Sequence, residues 1–256
     1  MADPVQQLAK QGIFAWGSEE LSRYERHLTR YFAREYKVFN SGCGTEQVLK
    51  QADESRQMSE KTESLMKEHY DESLVLFRSF LDRHYMAYTM AWYGEDPDSV
   101  RKSKASLQHA QAQKFALAAE RIGLQGTERI LNIGCGFGPL ETWLFEHNPE
   151  LDLVSVTPSG VQADYIRRCI ANPDNVIPND RIKLLEKTFE QLAWRDVDLE
   201  PFDLVFAVGV FEHISDLKAA FRKVHDYLHP GGRCFLHLIV SKPAFPQHMN
   251  SDHTMI

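Results

Sequence analysis

No stretch of this chain stays apolar for the ~20 residues that a membrane-crossing helix requires, and the opening MADPVQQLAKQ lacks the charged-then-apolar order of a signal peptide. Clusters of Lys and Arg are missing too. With a net charge of -7 and no local basic concentration, the chain lacks the electrostatic footprint of a nucleic-acid binder. Cysteine is scarce: Cys43, Cys135, Cys169 and Cys234 form no C-x-x-C pair and no metal-finger spacing, so a disulfide framework or structural metal has no support. Internal repeats and low-complexity tracts are absent. These absences lead to the expectation of a globular, cytoplasmic protein with no nucleic-acid partner and no metal.

What is present fits one α/β domain with an appendage: 256 residues, 43% of them hydrophobic, can fill an ordinary core. From Ser18 to about Lys104 the pattern is helical, with Leu21, Tyr24, Leu28, Tyr31, Phe32 and Phe39 mostly at helical spacing among Arg and Glu. Such a helix either packs on its own domain or serves as a lid or a membrane-surface helix, so peripheral membrane contact stays open. Asn40 to Gly44 reads as a loop, and Gln51 to Lys67 as polar and exposed. After Gly126, strands and helices alternate, which is the signature of a doubly wound, Rossmann-like parallel sheet. Strands are expected at Arg129–Ile133, Asp152–Val156, Ile182–Leu185, Phe202–Val208 and Arg233–Val240. Helices are expected at Leu140–His147, Ser159–Ala171 and Leu217–Leu228, the last stopped by Pro230, Gly231 and Gly232. The division is residues 1–104 as a helical capping region and residues 105–256 as the sheet domain.

The segment RILNIGCGFG, Arg129 to Gly138, runs from an apolar strand into three glycines spaced two apart, with a helical pattern behind them. Glycines there permit positive φ and let a ligand approach the backbone closely, while the following helix start offers unpaired N–H groups. A dinucleotide site would show G-x-G-x-x-G and an acidic residue about 20 positions on; here Thr157, Pro158 and Ser159 occupy that neighbourhood. NAD fits poorly. The G-x-G-x-G spacing is similar to that of S-adenosylmethionine (SAM) methyltransferases, a generic glycine turn being the other reading.

Seven ordered segments together resemble the cyclopropane fatty acid synthase family, which includes mycolic acid cyclopropane synthases and plant alkaloid N-methyltransferases. They are EHYDESLVLF (68–77), YTMAWY (88–93), SLQHAQAQK (106–114), LNIGCGFG (131–138), VTPSGVQ (156–162), GVFEHI (209–214) and HPGGRCFLHLI (229–239). The resemblance implies a SAM-dependent methyltransferase acting on an apolar acceptor such as an unsaturated acyl chain of a lipid, with N-methylation of a hydrophobic amine or a non-catalytic SAM-binding module as alternatives. A sheet of this type carries two more strands after the fifth, and 16 residues follow Val240, so C-terminal strands are expected to be missing.

By the same resemblance, Tyr88 and Thr89 close over the methionine end of the cofactor. Asn132, Gly134, Cys135, Gly136 and Gly138 belong to its floor, Thr157 and Gln162 lie near the ribose, and Phe189 and Glu190 flank the adenine. An aromatic face can stack on a base and Thr and Gln can bond sugar hydroxyls; Phe189 reads equally well as core. Glu212 and His237 match the glutamate and histidine that hold bicarbonate as a bound base in the cyclopropane synthases, while Glu212 with His213 matches an amine-orienting pair in the N-methyltransferases. From the residues alone, a helix-start carboxylate and structural imidazoles are the competing readings. Two departures stand out. Asn132 replaces an aspartate and removes a negative charge, and Met90 replaces the cysteine of the bicarbonate site with a bulkier thioether that cannot donate a hydrogen bond.

Overall fold

The computed structural model describes residues 71, 73–96, 100, 102–214 and 216–239, together with the isolated helical positions Glu19, Arg23, Arg26 and Arg30. The N-terminal aromatic pattern, the Asn40–Gly44 loop and the Gln51–Lys67 stretch lie outside these residues. Apart from the four isolated positions, the described residues belong to one compact unit, Ser55–Ile239.

Five parallel strands form its sheet: β1 (Arg129–Ile133), β2 (Asp152–Thr157), β3 (Ile182–Glu186), β4 (Phe202–Val208) and β5 (Leu228–His237), in the order β3-β2-β1-β4-β5. β1 sits at the centre, with Ile130 opposite Leu153 on one side and Leu204 on the other. Its apolar run follows from this position, because a central parallel strand is covered on both faces. Alternate residues go to opposite cores. Ile130, Leu153, Leu204 and Phe206 join Phe115, Trp143 and Leu144 in one cluster. Leu131, Ile133, Val154, Val156, Val205 and Ala207 join Ala220, Val224 and Tyr227 in the other. Each such aliphatic side chain contributes about 1.5–3 kcal/mol when fully buried.

The helices are α1 (Leu74–Phe80), α2 (Leu107–Ile122), α3 (Pro139–His147), α4 (Gly160–Ala171) and α5 (Leu217–Tyr227). Their starts are written in the sequence: Ser106, Ser159 and Asp216 each accept a first-turn N–H, and Pro139 occupies the first position of α3. β5 departs from expectation. It begins at Leu228, five residues before Arg233, and ends at His237 rather than Val240. Leu228 pairs with Phe202 and Arg233 with Leu204, so the Pro230-Gly231-Gly232 segment bulges out of a continuing strand instead of ending the helix and opening a loop.

A third cluster fixes the segment before the sheet. Phe77, Leu81 and Met86 pack with Phe137, which lies between the second and third glycines of the turn. The Phe77 and Phe137 rings meet edge-on at 5.0 Å. The segment that follows α1 thereby sits on the loop it is expected to cap.

Candidate active site

At the carboxyl ends of β1 to β4 lies a cleft with about 890 Å³ of empty space. That is where an open α/β sheet presents its ligand site. Of the residues singled out from the sequence, Tyr88, Gly134, Gly136, Thr157, Gln162, Phe189, Glu190 and His213 line it.

The glycine turn is built as its spacing requires. Gly134, Gly136 and Gly138 have φ of 73°, 59° and 77°, a region that costs other residues about 1–3 kcal/mol. A Cβ on Gly134 would collide with Val210, whereas one on Gly136 would meet nothing within 4 Å. The backbone at Gly136 therefore opens onto the cleft, leaving room for a ligand to approach it. Gly138 does not line the cleft; it starts α3 and packs against Ile166. Cys135 is also behind the surface, at 3% exposure, and burial, with Glu141 nearby, pushes its thiol well up.

Asn132 faces inward. Its Nδ2 donates to Glu141 Oε1 at 2.7 Å, and Ser155 Oγ donates to the same oxygen at 2.6 Å. Glu141 is fully buried, its second oxygen has no partner, and burial raises its carboxyl above the ordinary range against those two hydrogen bonds. A carboxyl group from α3 thus lies against the Asn132 amide, behind the cleft surface. Sequence reading passed over Glu141 because an acidic residue in a first helical turn reads as a solvated charge.

Farther along, Thr157 Oγ1 donates to Gln162 Oε1 at 2.7 Å. With its oxygen engaged, Gln162 presents Nε2 donors. Phe189 belongs both to the core and to the cleft wall. Lys223 supports this wall: its Nζ donates to the Glu190 carbonyl at 2.7 Å and sits 5.2 Å from the Phe189 ring centre. Lys187, Thr188, Gly209 and Val210 also line the cleft. Their signal was positional, since each follows the end of β3 or β4.

Glu212 and His213 lie on a single 3-10 turn, Phe211–His213, after β4. The start of α5 is capped by Asp216, whose carboxylate accepts from Ala219 N at 2.9 Å, so Glu212 is not its cap. Glu212 Oε2 and His237 Nδ1 are buried without hydrogen-bond partners. Burial and the charge of Lys114 lower the His237 imidazole, while Glu212 opposes them; the carboxylate and the imidazole are therefore electrostatic neighbours. Neither lines the cleft surface directly. Thr89 also stands back, its carbonyl accepting from Gln111. Met90 is 61% exposed and does not line the cleft.

The sequence profile of the mycolic acid cyclopropane synthetase family matches residues 57–255. Cyclopropane mycolic acid synthase 1 of Mycobacterium tuberculosis (strain ATCC 25177 / H37Ra) is 32% identical over 173 residues, which cover 67% of this chain and 54% of that protein. The chain thus spans about half the length of this curated relative. Among solved structures, mycolic acid cyclopropane synthase CmaA1 complexed with SAH and CTAB superposes with a TM-score of 0.56 at 29% identity, covering 71% of this chain and 57% of that one. Coclaurine N-methyltransferase bound to N-methylheliamine and SAH superposes with a TM-score of 0.68 at 16% identity, covering 91% and 63%, a likeness of fold. Strand order and superposition together give the Rossmann-like SAM methyltransferase fold.

Proposed function

This chain belongs to the mycolic acid cyclopropane synthetase family, and from that premise we propose that it is a SAM-dependent methyltransferase adding one carbon to an apolar acceptor, the unsaturated acyl chain of a lipid. One observation carries the reading: residues from three strand ends, Gly134 and Gly136, Thr157 and Gln162, and Phe189 and Glu190, line a single cleft together with Tyr88. These residues fit the cofactor. Gly136 opens the backbone to it, Thr157 and Gln162 would hold the sugar, and Phe189 with Glu190 would hold the base. When bound, the cofactor supplies an electrophilic methyl group on a positively charged sulfur.

The chain's own part is alignment, exclusion of water and movement of a proton. An alkene that accepts a methyl group becomes a carbocation and must lose a proton to a buried base. Glu212 Oε2 and His237 Nδ1, buried and unpartnered, are the groups to accept or relay it. By the family resemblance, His237 and Glu212 would hold bicarbonate at the same corner, where it would supply a further proton acceptor; their unpartnered buried atoms support this. His213 lines the cleft beside them. The apolar side chains around Tyr88, with Phe80 49% and Met90 61% exposed, favour an oily acceptor over a polar one.

The test incubates the protein with methyl-labelled SAM and vesicles of unsaturated phospholipid, in parallel with a panel of hydrophobic amines, followed by mass analysis. Labelled acyl chains carrying one added carbon are expected. Labelled amines with unaltered lipid would make it an N-methyltransferase, and binding without transfer to either would make it a non-catalytic SAM-binding module.

A further inference from the structure

Behind the cap lies a polar knot whose one link to the proposed chemistry is the charge of Lys114 near His237. Asp82, 7% exposed, accepts the backbone N–H groups of His84, Tyr85 and Ala87 at 3.2, 2.6 and 3.2 Å. The turn it enforces holds Met86 at φ 54°, a conformation side chains rarely adopt, and delivers Tyr88 to the cleft. On the facing helix, Lys114 Nζ donates to Gln111 Oε1 at 2.6 Å, and Gln111 Nε2 donates to the Thr89 carbonyl at 2.8 Å. Beside this pair, Trp92 N donates to the Ala110 carbonyl at 3.0 Å.

The order of donors explains the arrangement. A glutamine amide can point either end at a neighbour, but an ammonium group only donates, so protonated Lys114 selects Oε1 and leaves Nε2 to face Thr89. Gln111 is 1% exposed, with no water to make up for the wrong orientation. Burial also brings Lys114 down to about 7, against the pull of Asp82. A desolvated lysine is a costly way to pack a helix, so packing alone does not account for it.

We propose that Lys114 is a positioning residue of the cofactor site: by orienting Gln111 it clamps the Thr89 carbonyl and so holds Tyr88 at the cleft lined by Gly134 and Gly136. The inference rests on the cofactor reading above. It separates two roles that a simple packing residue would combine, because ligand affinity falls while the fold keeps its stability.

Calorimetric titration with S-adenosylhomocysteine at pH 6.0, where Lys114 is protonated, tests it on the parent chain, Lys114→Met, Lys114→Arg and Gln111→Glu, with thermal melting and amide hydrogen exchange at Trp92 as second and third readouts. Gln111→Glu keeps the acceptor for Lys114, removes the donor to Thr89 and turns a carboxylate oxygen toward its carbonyl. Lys114→Met and Gln111→Glu are each expected to weaken binding about 10-fold, the equivalent of one hydrogen bond, and to speed exchange at Trp92 by a similar factor. Lys114→Arg restores affinity to within about 3-fold, and the melting temperature of Lys114→Met does not fall. Unchanged affinity and exchange in both Lys114→Met and Gln111→Glu would overturn the proposal, as would affinity that falls only in step with the melting temperature. If the parent chain itself takes up no S-adenosylhomocysteine, the cofactor reading fails instead.

Discussion

At the scale of single residues, the two inner glycines of the turn make different demands. Gly134→Ala drives a methyl group into Val210 on top of an unfavourable φ, so it should lower both stability and S-adenosylhomocysteine affinity. Gly136→Ala meets no neighbour, so its cost to the fold is the backbone term of about 1–3 kcal/mol, and the larger loss should be in binding. Denaturant melts beside calorimetry separate the two outcomes. Glu212→Gln is expected to keep affinity within a few fold and to lower turnover about 10²–10⁴-fold, the contribution of a positioned acid–base group; near-normal turnover would remove Glu212 from the mechanism. Lys114 sets a pH dependence with a definite sign. Its folded value near 7 lies below the ordinary 10.5, so the unfolded chain binds more protons between those values and stability rises with pH across that window. Relative to Lys114→Met, the parent should gain on the order of 1 kcal/mol per pH unit between pH 7 and 10, read from urea midpoints; a flat difference would mean that the amine is solvated. The three glycines were legible because a need for positive φ is local, whereas Thr157 and Gln162 were singled out by the family resemblance. Glu141, Gln111 and Lys114 were not legible, since a charged or polar residue within a helix reads as solvent-facing until the tertiary packing buries it.

Elements were readable to the extent that their periodicity was unambiguous. β1 and β4 are covered on both faces and read as mostly apolar runs, and their observed limits are those expected. Helices α3, α4 and α5 were placed within a residue at each end because their caps are spelled out by Pro139, Ser159 and Asp216. The start of β5 was hidden by Pro230-Gly231-Gly232, which reads as a terminator; pairing with β4 overrides that local signal and turns it into a bulge. The segment from Leu81 to Trp92 has no periodicity to read, because it is held by Asp82, by the backbone of α2 and by aromatic contacts distant in sequence. Phe137 is the hinge of that attachment, touching Phe77 at 5.0 Å and Tyr165 at 5.4 Å. Phe137→Ala should destabilise the unit by about 3–5 kcal/mol, the usual cost of an emptied aromatic site, and should speed hydrogen exchange over residues 81–92 more than over β1. Uniform exchange across both segments would argue against a separately anchored cap.

On the scale of the whole molecule, the parallel order β3-β2-β1-β4-β5 places β1 and β4 side by side at the centre, and the turns that follow them meet at one cleft. Fold and cleft together explain how separated motifs, more than 120 residues apart between Tyr88 and His213, come to line one cleft. Among the described residues no helix is long and apolar enough to cross a membrane; the exposed Phe80 and the cleft residue Tyr88, their rings 5.7 Å apart, form an apolar rim on the cleft. The most direct measurement of the central claim is calorimetric titration of S-adenosylhomocysteine into the parent chain and into Gly136→Val, a substitution that fills the open side of the turn. Binding at one site per chain, lost in Gly136→Val while its far-ultraviolet circular dichroism stays that of the parent, is the predicted result. Equal affinity in a folded Gly136→Val, or no uptake by the parent, would contradict the account.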